Sequence, residues 1–273
     1  MEIRTSTIHI NEIEAPNTLY KYRNWVNDNH KTIITERTVF MAPPSSFEDE
    51  KEFRNFKRYD LMSDKDIYEK YLHMSKEHNK QFSRQQHRTH AREWTKKAPF
   101  KDLENLKRFQ EEHYSEYDER VGVLSLTAHN GELDMWNYYS NRGEGFCIGL
   151  DSHVLFTYMG GGGKVEYPED GLPIIYGNDP PELERWKQIF NKELKWKWEK
   201  EYRVDIFNPN GLTKARRQVA LPIECFKEVI FGWSMSKEIK HTIVKACESS
   251  HLEVSFYDTQ PNEHNVLIIP FST

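Results

Sequence analysis

From residue 121 onward, short runs of branched and aromatic residues follow one another with little between them. They are VGVLSLT (121–127), GFCIGLD (145–151), KVEY (164–167), EYRVDIF (201–207), the second half of LPIECFKEVIFG (221–232), LEVSFYDT (252–259) and NVLIIP (265–270). Branched and aromatic runs of this length read as strands. Parallel neighbours need a crossover of a dozen or more residues, usually a helix, whereas antiparallel neighbours need only a turn. Few of these gaps follow strict strand–helix–strand alternation. The pattern therefore predicts an α+β fold with a mostly antiparallel, split β-sheet core and flanking helices, not a doubly wound parallel sheet.

Helices fit between some of the runs. ELDMWNYYS (132–140) reads as a short helix. Pro180-Pro181 opens one predicted over 181–197, with Trp186, Phe190 and Leu194 as its apolar stripe and Trp198 one step further. SKEIKHTIVKACES reads as a helix capped by Ser234 or Ser236. Toward the N-terminus, Ile8 and Ile10 would share one face of a strand. LYKYR (19–23) is a short β-like segment. A helix over 24–37 would bury Trp25, Val26 and Ile33 or Ile34. TVFMA (38–42) reads as a strand ended by Pro43-Pro44, with Ser45 or Ser46 as the N-cap of a new helix.

Residues 51–120 have another texture: polar, rich in His, Lys, Arg and Glu, with helical recurrence at Ile67, Tyr71 and Met74 and again at Leu103, Leu106, Phe109 and Tyr117. Two or three helices are expected here, as a polar insertion within a single domain spanning 1–273. A chain of 273 residues, 37% hydrophobic and 30% charged, can bury a full core. It contains no apolar run near the ~18 residues of a membrane span and no visible signal-peptide h-region. Three cysteines stand without paired metal spacing. The expectation is a cytoplasmic protein away from the membrane.

GGGGK (160–164) lacks the Ser or Thr and the following helix of a phosphate loop, so it reads as a hairpin loop. His73, His78, His87, His90 and His113 lack a metal-binding spacing and read as solvated surface. A net charge of −5 does not mark the whole chain as a nucleic-acid binder. The insertion is different: Lys76, Lys80, Arg84, Arg88, Arg92 and Lys96 recur every four residues, so on one helix they would drift by about 40° per step. Within 76–101 eight Lys or Arg stand against two Glu. This pattern fits a contact for RNA, DNA or an acidic protein, with a solvated polar helix as the competing reading.

KWKWEKEYRV (195–204) crowds charge against aromatic rings. Strand alternation turns Tyr202, Val204 and Ile206 one way and Glu201, Arg203 and Asp205 the other. Arg203 can pair with Glu199 or Glu201 and keep it ionised. The alternative is an exposed ladder of ion pairs.

Four separated blocks, LYKYR (19–23), SSFED (45–49), MWNYYSNRGEGFCIGLD (135–151) and WKWEKEYR (196–203), resemble the signature blocks of an uncharacterised bacterial family, domain-of-unknown-function family 2971. Glu48-Asp49-Glu50 stands where that family has Asn-Asp-Pro. More distantly, the order of an early strand bearing Arg, Lys or His, a second strand ending in Ser or an aromatic, and a late strand bearing Glu is similar to that of ADP-ribosyltransferases. Glu199-x-Glu201 looks like their Glu-x-Glu. The resemblance implies an enzyme that uses NAD to modify a protein or nucleic-acid target, as a toxin or anti-phage defence effector. Glu201 would stabilise the oxocarbenium-like cation and Glu199 would orient the acceptor or act as its base. Lys21 or Arg23 would hold the pyrophosphate. Tyr22, Phe40 or Trp136 would stack on nicotinamide, and Ser46 would line the cofactor site. Two other classes stay open: a non-enzymatic nucleic-acid-binding module acting through Lys76–Lys101, and a magnesium-dependent nuclease using Glu48, Asp49 and Glu201.

Overall fold

The computed structural model describes residues 13–97 and 99–271. The expected strand around Ile8 and Ile10 lies outside the described residues. The chain runs β1 (Thr18–Arg23), α1 (Asp28–Thr35), β2 (Thr38–Phe40), β3 (Lys57–Arg58), α2 (Asp64–His78), α3 (Arg84–Lys97), α4 (Leu103–Arg120), β4 (Val121–Thr127), α5 (Leu133–Tyr139), β5 (Phe146–Asp151), α6 (Ser152–Met159), β6 (Gly163–Lys164), β7 (Ile175–Tyr176), α7 (Pro181–Ile189), β8 (Glu201–Phe207), β9 (Gln218–Ala220), β10 (Phe226–Phe231), α8 (Lys237–Ser249), β11 (Ser255–Pro261) and β12 (Val266–Pro270). No helix among the described residues is long and apolar enough to cross a membrane.

The fold is α+β. Eight strands form one sheet in the order β12-β11-β10-β5-β1-β4-β8-β6. All its neighbours run antiparallel except β10 and β11, which α8 connects. Trp25, Ile33 and Ile34 around α1, Leu155 and Phe156 of α6, and Ile243 and Cys247 of α8 pack one face. On the other face Met135 and Trp136 of α5 cover Tyr22, Cys147, Ile230 and Val266. Val26, expected in the core, is 74% exposed, because α1 starts later than predicted, after an N-cap at Asn27.

The sheet is split between β1 and β4. The two strands pair at one register, Tyr20 opposite Thr127, whereas β1 follows β5 along its full length. The split has a local cause. Ala42, just past β2, exchanges both backbone hydrogen bonds with Val123 (2.9 and 2.8 Å), taking the edge of β4 that β1 would have occupied. Gly122 permits this approach: a Cβ there would lie 2.8 Å from the Met41 Cβ.

Three expectations fail locally. SSFEDE starts no α-helix. Pro44–Ser46 makes a single 3-10 turn, and Asp118 takes both the Ser45 amide and hydroxyl at 2.6 Å, tying that segment to α4 instead. The helix predicted over 181–197 ends at Ile189. There the chain pairs as a strand with Glu166: Glu166 N–H donates to Phe190 O (2.8 Å) and Lys192 N–H to Glu166 O (3.0 Å). A 3-10 segment, Leu194–Glu199, follows and leaves Leu194 exposed. KVEY contributes only Lys164 to β6, which pairs with β8, so GGGGK is a loop leading into a strand.

Candidate functional site

The split opens a cleft of about 600 Å³ beside β1 and β4. Lys21, Arg23 and His30 line one side, and Glu48, Asp49, Tyr138, Tyr139, Trp196 and Glu199 the other. A smaller recess at the point of splitting reaches Ser125 and Glu201. An unbroken ladder would set Tyr22 opposite Ser125. Instead the Lys21 amine crosses the gap and donates to the Ser125 carbonyl at 2.5 Å.

The floor is a buried charge cluster. Arg203 is fully buried, and Glu201, Glu199, Glu52 and Lys192 are 2%, 3%, 6% and 7% exposed. Arg203 grips Glu201 with both Nε (2.8 Å) and Nη2 (2.7 Å), donates from Nη1 to Ile189 O (2.5 Å), and also donates to Glu52. Its guanidinium lies 4.5 Å from the Phe53 ring. Lys192, delivered by the short pairing with Glu166, sits 2.6 Å from Glu199, 3.4 Å from Glu52 and 3.5 Å from Glu201. Ser125 donates to Glu201, and Tyr139 to Glu199 at 2.5 Å. Ion pairs survive this far from water only when every charge has several partners, and here each has. The Glu201/Arg203 face of β8 is therefore a cleft floor, not an exposed ladder. Arg203 pairs with Glu201 and Glu52, and Lys192 takes Glu199.

Within the cluster three carboxylates meet two cations. Burial raises the Glu52 carboxyl to about 7; Arg203 pulls it back down in part, and the neighbouring Glu201 adds to the rise. Burial pushes Glu201 the same way, but Arg203, Lys192 and the Ser125 hydroxyl outweigh it and hold that carboxyl below its ordinary range. On the opposite lip, burial and the neighbouring Arg23 bring Lys21 down to about 7. Burial alone lowers Arg23 to about 10. Neither cation has a carboxylate within 4.0 Å among the described residues; Arg23 donates only to its neighbour's carbonyl, Tyr22 O (3.2 Å). Burial, then Arg23 and Lys21, lower His30 to about 4, so it sits there neutral.

Glu199, Glu201, Lys21 and Arg23 thus converge on one cleft, with Phe40 and Ser46 on its wall. The stacking role assigned to Trp136 is overturned: its ring is fully buried, edge-on to Tyr22 (centroids 5.0 Å apart), with its N–H on Asn130 O. Tyr22 is 4% exposed beneath it, and its hydroxyl donates to His129 O, so it is a core aromatic too. Of the rings that line the cleft, Tyr138, Tyr139 and Phe40 are exposed. Glu52, Lys192, Ser125 and Tyr139 were not anticipated. Ser125 alone left a trace, a hydroxyl inside the apolar run VGVLSLT.

Glu48, Asp49 and Glu201 do not meet as a metal site. Glu48 accepts from Tyr138 (2.5 Å), Asp49 from the Trp196 indole (2.7 Å), and Glu201 is held by Arg203. No group of three or more His, Cys, Asp or Glu among the described residues is placed to hold a metal. The basic series is not on one helix: α2 ends at His78 with Asn79 as its cap, and a Ser83/Gln86 cap starts α3, so Lys76 lies on α2 and Lys80 in the turn between the two helices. Arg84, Arg88, Arg92 and Lys96 lie on α3.

No protein-family model, no curated protein and no solved structure matches the chain.

Proposed function

We propose that the protein is an ADP-ribosyltransferase-like enzyme that binds oxidised NAD in the cleft between β1 and β4. One observation carries this reading: Lys21 and Arg23, two cations without carboxylate partners among the described residues, face an anionic floor of Glu199 and Glu201 across the split. Such a cleft suits a ligand that is anionic at one end and cationic at the other. NAD carries a pyrophosphate and a positively charged nicotinamide ring. The cleft volume, about 600 Å³, lies within the usual range for small-molecule sites.

Arg23 forks onto the pyrophosphate with Lys21 beside it. Loss of nicotinamide leaves a ribosyl oxocarbenium-like cation. Glu201, locked by Arg203, stabilises that charge without having to reorganise. Glu199, hydrogen-bonded by Tyr139 and Lys192, orients the acceptor and takes its proton. Tyr138 and Trp196 at the mouth supply the stacking surface first assigned to Tyr22 and Trp136. The test is calorimetric titration with NAD together with chromatographic detection of free nicotinamide. Saturable binding weakened at least tenfold in Arg23→Ala is expected, with release lost in Glu199→Gln at a temperature where circular dichroism shows that variant folded. Absence of saturable NAD binding overturns the proposal, as does release that both variants leave intact.

A further inference from the structure

Among the described residues, lysine amines withdrawn from water are mostly held as ion pairs. Lys57 meets Glu184 at 2.5 Å, and Lys187, Lys192 and Lys240 meet Asp179, Glu199 and Asp258, each at 2.6 Å. A carboxylate at that distance keeps an ammonium charged. Lys70 has no such partner, but it donates to Gly177 O and lies 5.2 Å from the Tyr59 ring, away from the cleft. Lys21 is unlike all of these. It lines the cleft, its amine donates to the Ser125 carbonyl, and no carboxylate among the described residues lies within 4.0 Å of it.

The surroundings of Lys21 act on its charge from both sides of the split. Burial is the largest influence and disfavours the ammonium. Arg23, two residues further on the same face of β1, acts the same way, as does Lys192 across the split. Glu201 and Glu199 oppose them without making contact. His30 of α1 lines the same wall as a neutral ring. The amine is therefore about half neutral near pH 7. A desolvated lysine beside a second cation is an activated nucleophile, and the cleft gives it an open approach.

The same wall is built to hold an anion. The Arg23 guanidinium has no carboxylate partner among the described residues, and its fork fits a phosphate or a carboxylate. The His30 Nδ1 accepts from the Asn24 amide (3.2 Å), so the neutral ring keeps its proton on Nε2 as a further donor. Residues 21 and 23 stand about 7 Å apart along the strand, a span that a small molecule covers. We infer that Lys21 is a covalent capture site for a small anionic aldehyde, forming an imine with it while Arg23 holds its phosphate or carboxylate. The amine nitrogen attacks the carbonyl carbon and a C–N bond forms. Both amine hydrogens end on the carbonyl oxygen, which leaves as water, so no oxidant or reductant is needed. This capture uses the cleft of the reaction proposed above and does not require NAD to bind there.

The test is timed incubation of the full chain with limiting pyridoxal 5′-phosphate, a borohydride quench that reduces the imine to a stable secondary amine, and peptide mapping by mass spectrometry. Lys21 is expected to take label ahead of the exposed lysines. Its labelling rate rises through a midpoint near pH 7, whereas an exposed lysine titrates at about 10.4. Unphosphorylated pyridoxal labels Lys21 about tenfold more slowly or worse, each rate being referred to that of the same aldehyde on free N-acetyl-lysine. Glyoxylate is the second anionic probe, and the larger enhancement over free N-acetyl-lysine names the anion. Arg23→Gln breaks no ion pair; it lowers the preference for the phosphorylated probe and moves the midpoint upward, because a neighbouring cation is gone. Label confined to exposed lysines at limiting reagent overturns the inference. So does a Lys21 midpoint at the ordinary lysine value, or an Arg23→Gln protein that keeps both the parent midpoint and the parent preference.

Discussion

At the residue scale, the odd carboxylate of the buried cluster is the informative one. Glu201→Gln leaves Arg203 buried without its bidentate partner, and breaking a buried pair in this way costs about 3–5 kcal/mol. Glu52→Gln instead leaves two carboxylates for two cations and keeps an oxygen for Arg203 to donate to. Denaturant unfolding should show it within about 1 kcal/mol of the parent. The two acids also carry opposite pH signatures. Glu201, depressed in the fold, contributes stability above the ordinary glutamate range that is lost as pH falls through its folded value. Glu52, raised in the fold, contributes stability below that range that is lost as pH climbs toward its folded value. The Glu52→Gln protein should therefore gain on the parent as pH rises through that interval; a gap that stays constant with pH contradicts the assignment. Lys21 gives a second handle. Its pKa of about 7 means that the charge available to a pyrophosphate fades above neutrality. Affinity for NAD should decline from pH 7 to 9 in the parent and stay level in Lys21→Arg, whose guanidinium does not titrate there.

At the scale of the elements, the cleft exists because strands are diverted. Gly145 precedes β5, where a Cβ would come within 2.2 Å of the Arg23 carbonyl. Gly145→Ala must push the end of β1 aside. A loss of about 1–3 kcal/mol is expected, typical of forced overpacking, with NAD affinity falling along with it because Arg23 moves. The strand alternation in EYRV and the short-turn spacing after residue 121 were legible in the sequence, since both follow from the period of a pleated strand. The end of α7 was not. Trp186, Phe190 and Leu194 keep helical spacing, yet backbone pairing of Phe190 and Lys192 with Glu166 overrides it, and that partner is more than twenty residues away. The same pairing places Lys192, which is why it could not be foreseen. Glu52 was hidden for a related reason: inside SSFEDEKEF nothing distinguishes a carboxylate that ends beneath Arg203 from those that meet water. No interval of four residues reveals that α2 and α3 separate at Asn79.

At the scale of the whole molecule, the helical insertion has its own small core. Met62, Ile67, Tyr71 and Ala91 cluster with Phe109 of α4, separate from the sheet's main core. Native-state hydrogen exchange should find α2 and α3 amides opening at markedly lower free energy than those of β5 and β10, which lie inside the sheet. Equal protection in both regions contradicts that division. The sheet itself carries a further consequence of the lone rung between Tyr20 and Thr127. By connectivity it is one sheet; mechanically it is two slabs, β12-β11-β10-β5-β1 and β4-β8-β6, joined at a pivot. Lys21 on Ser125 is a strut across the gap, and protonating that amine stiffens the strut. A molecule held by Arg23 on one slab and Glu199 on the other acts as a rivet, so occupancy would be read first as a loss of rocking between the halves.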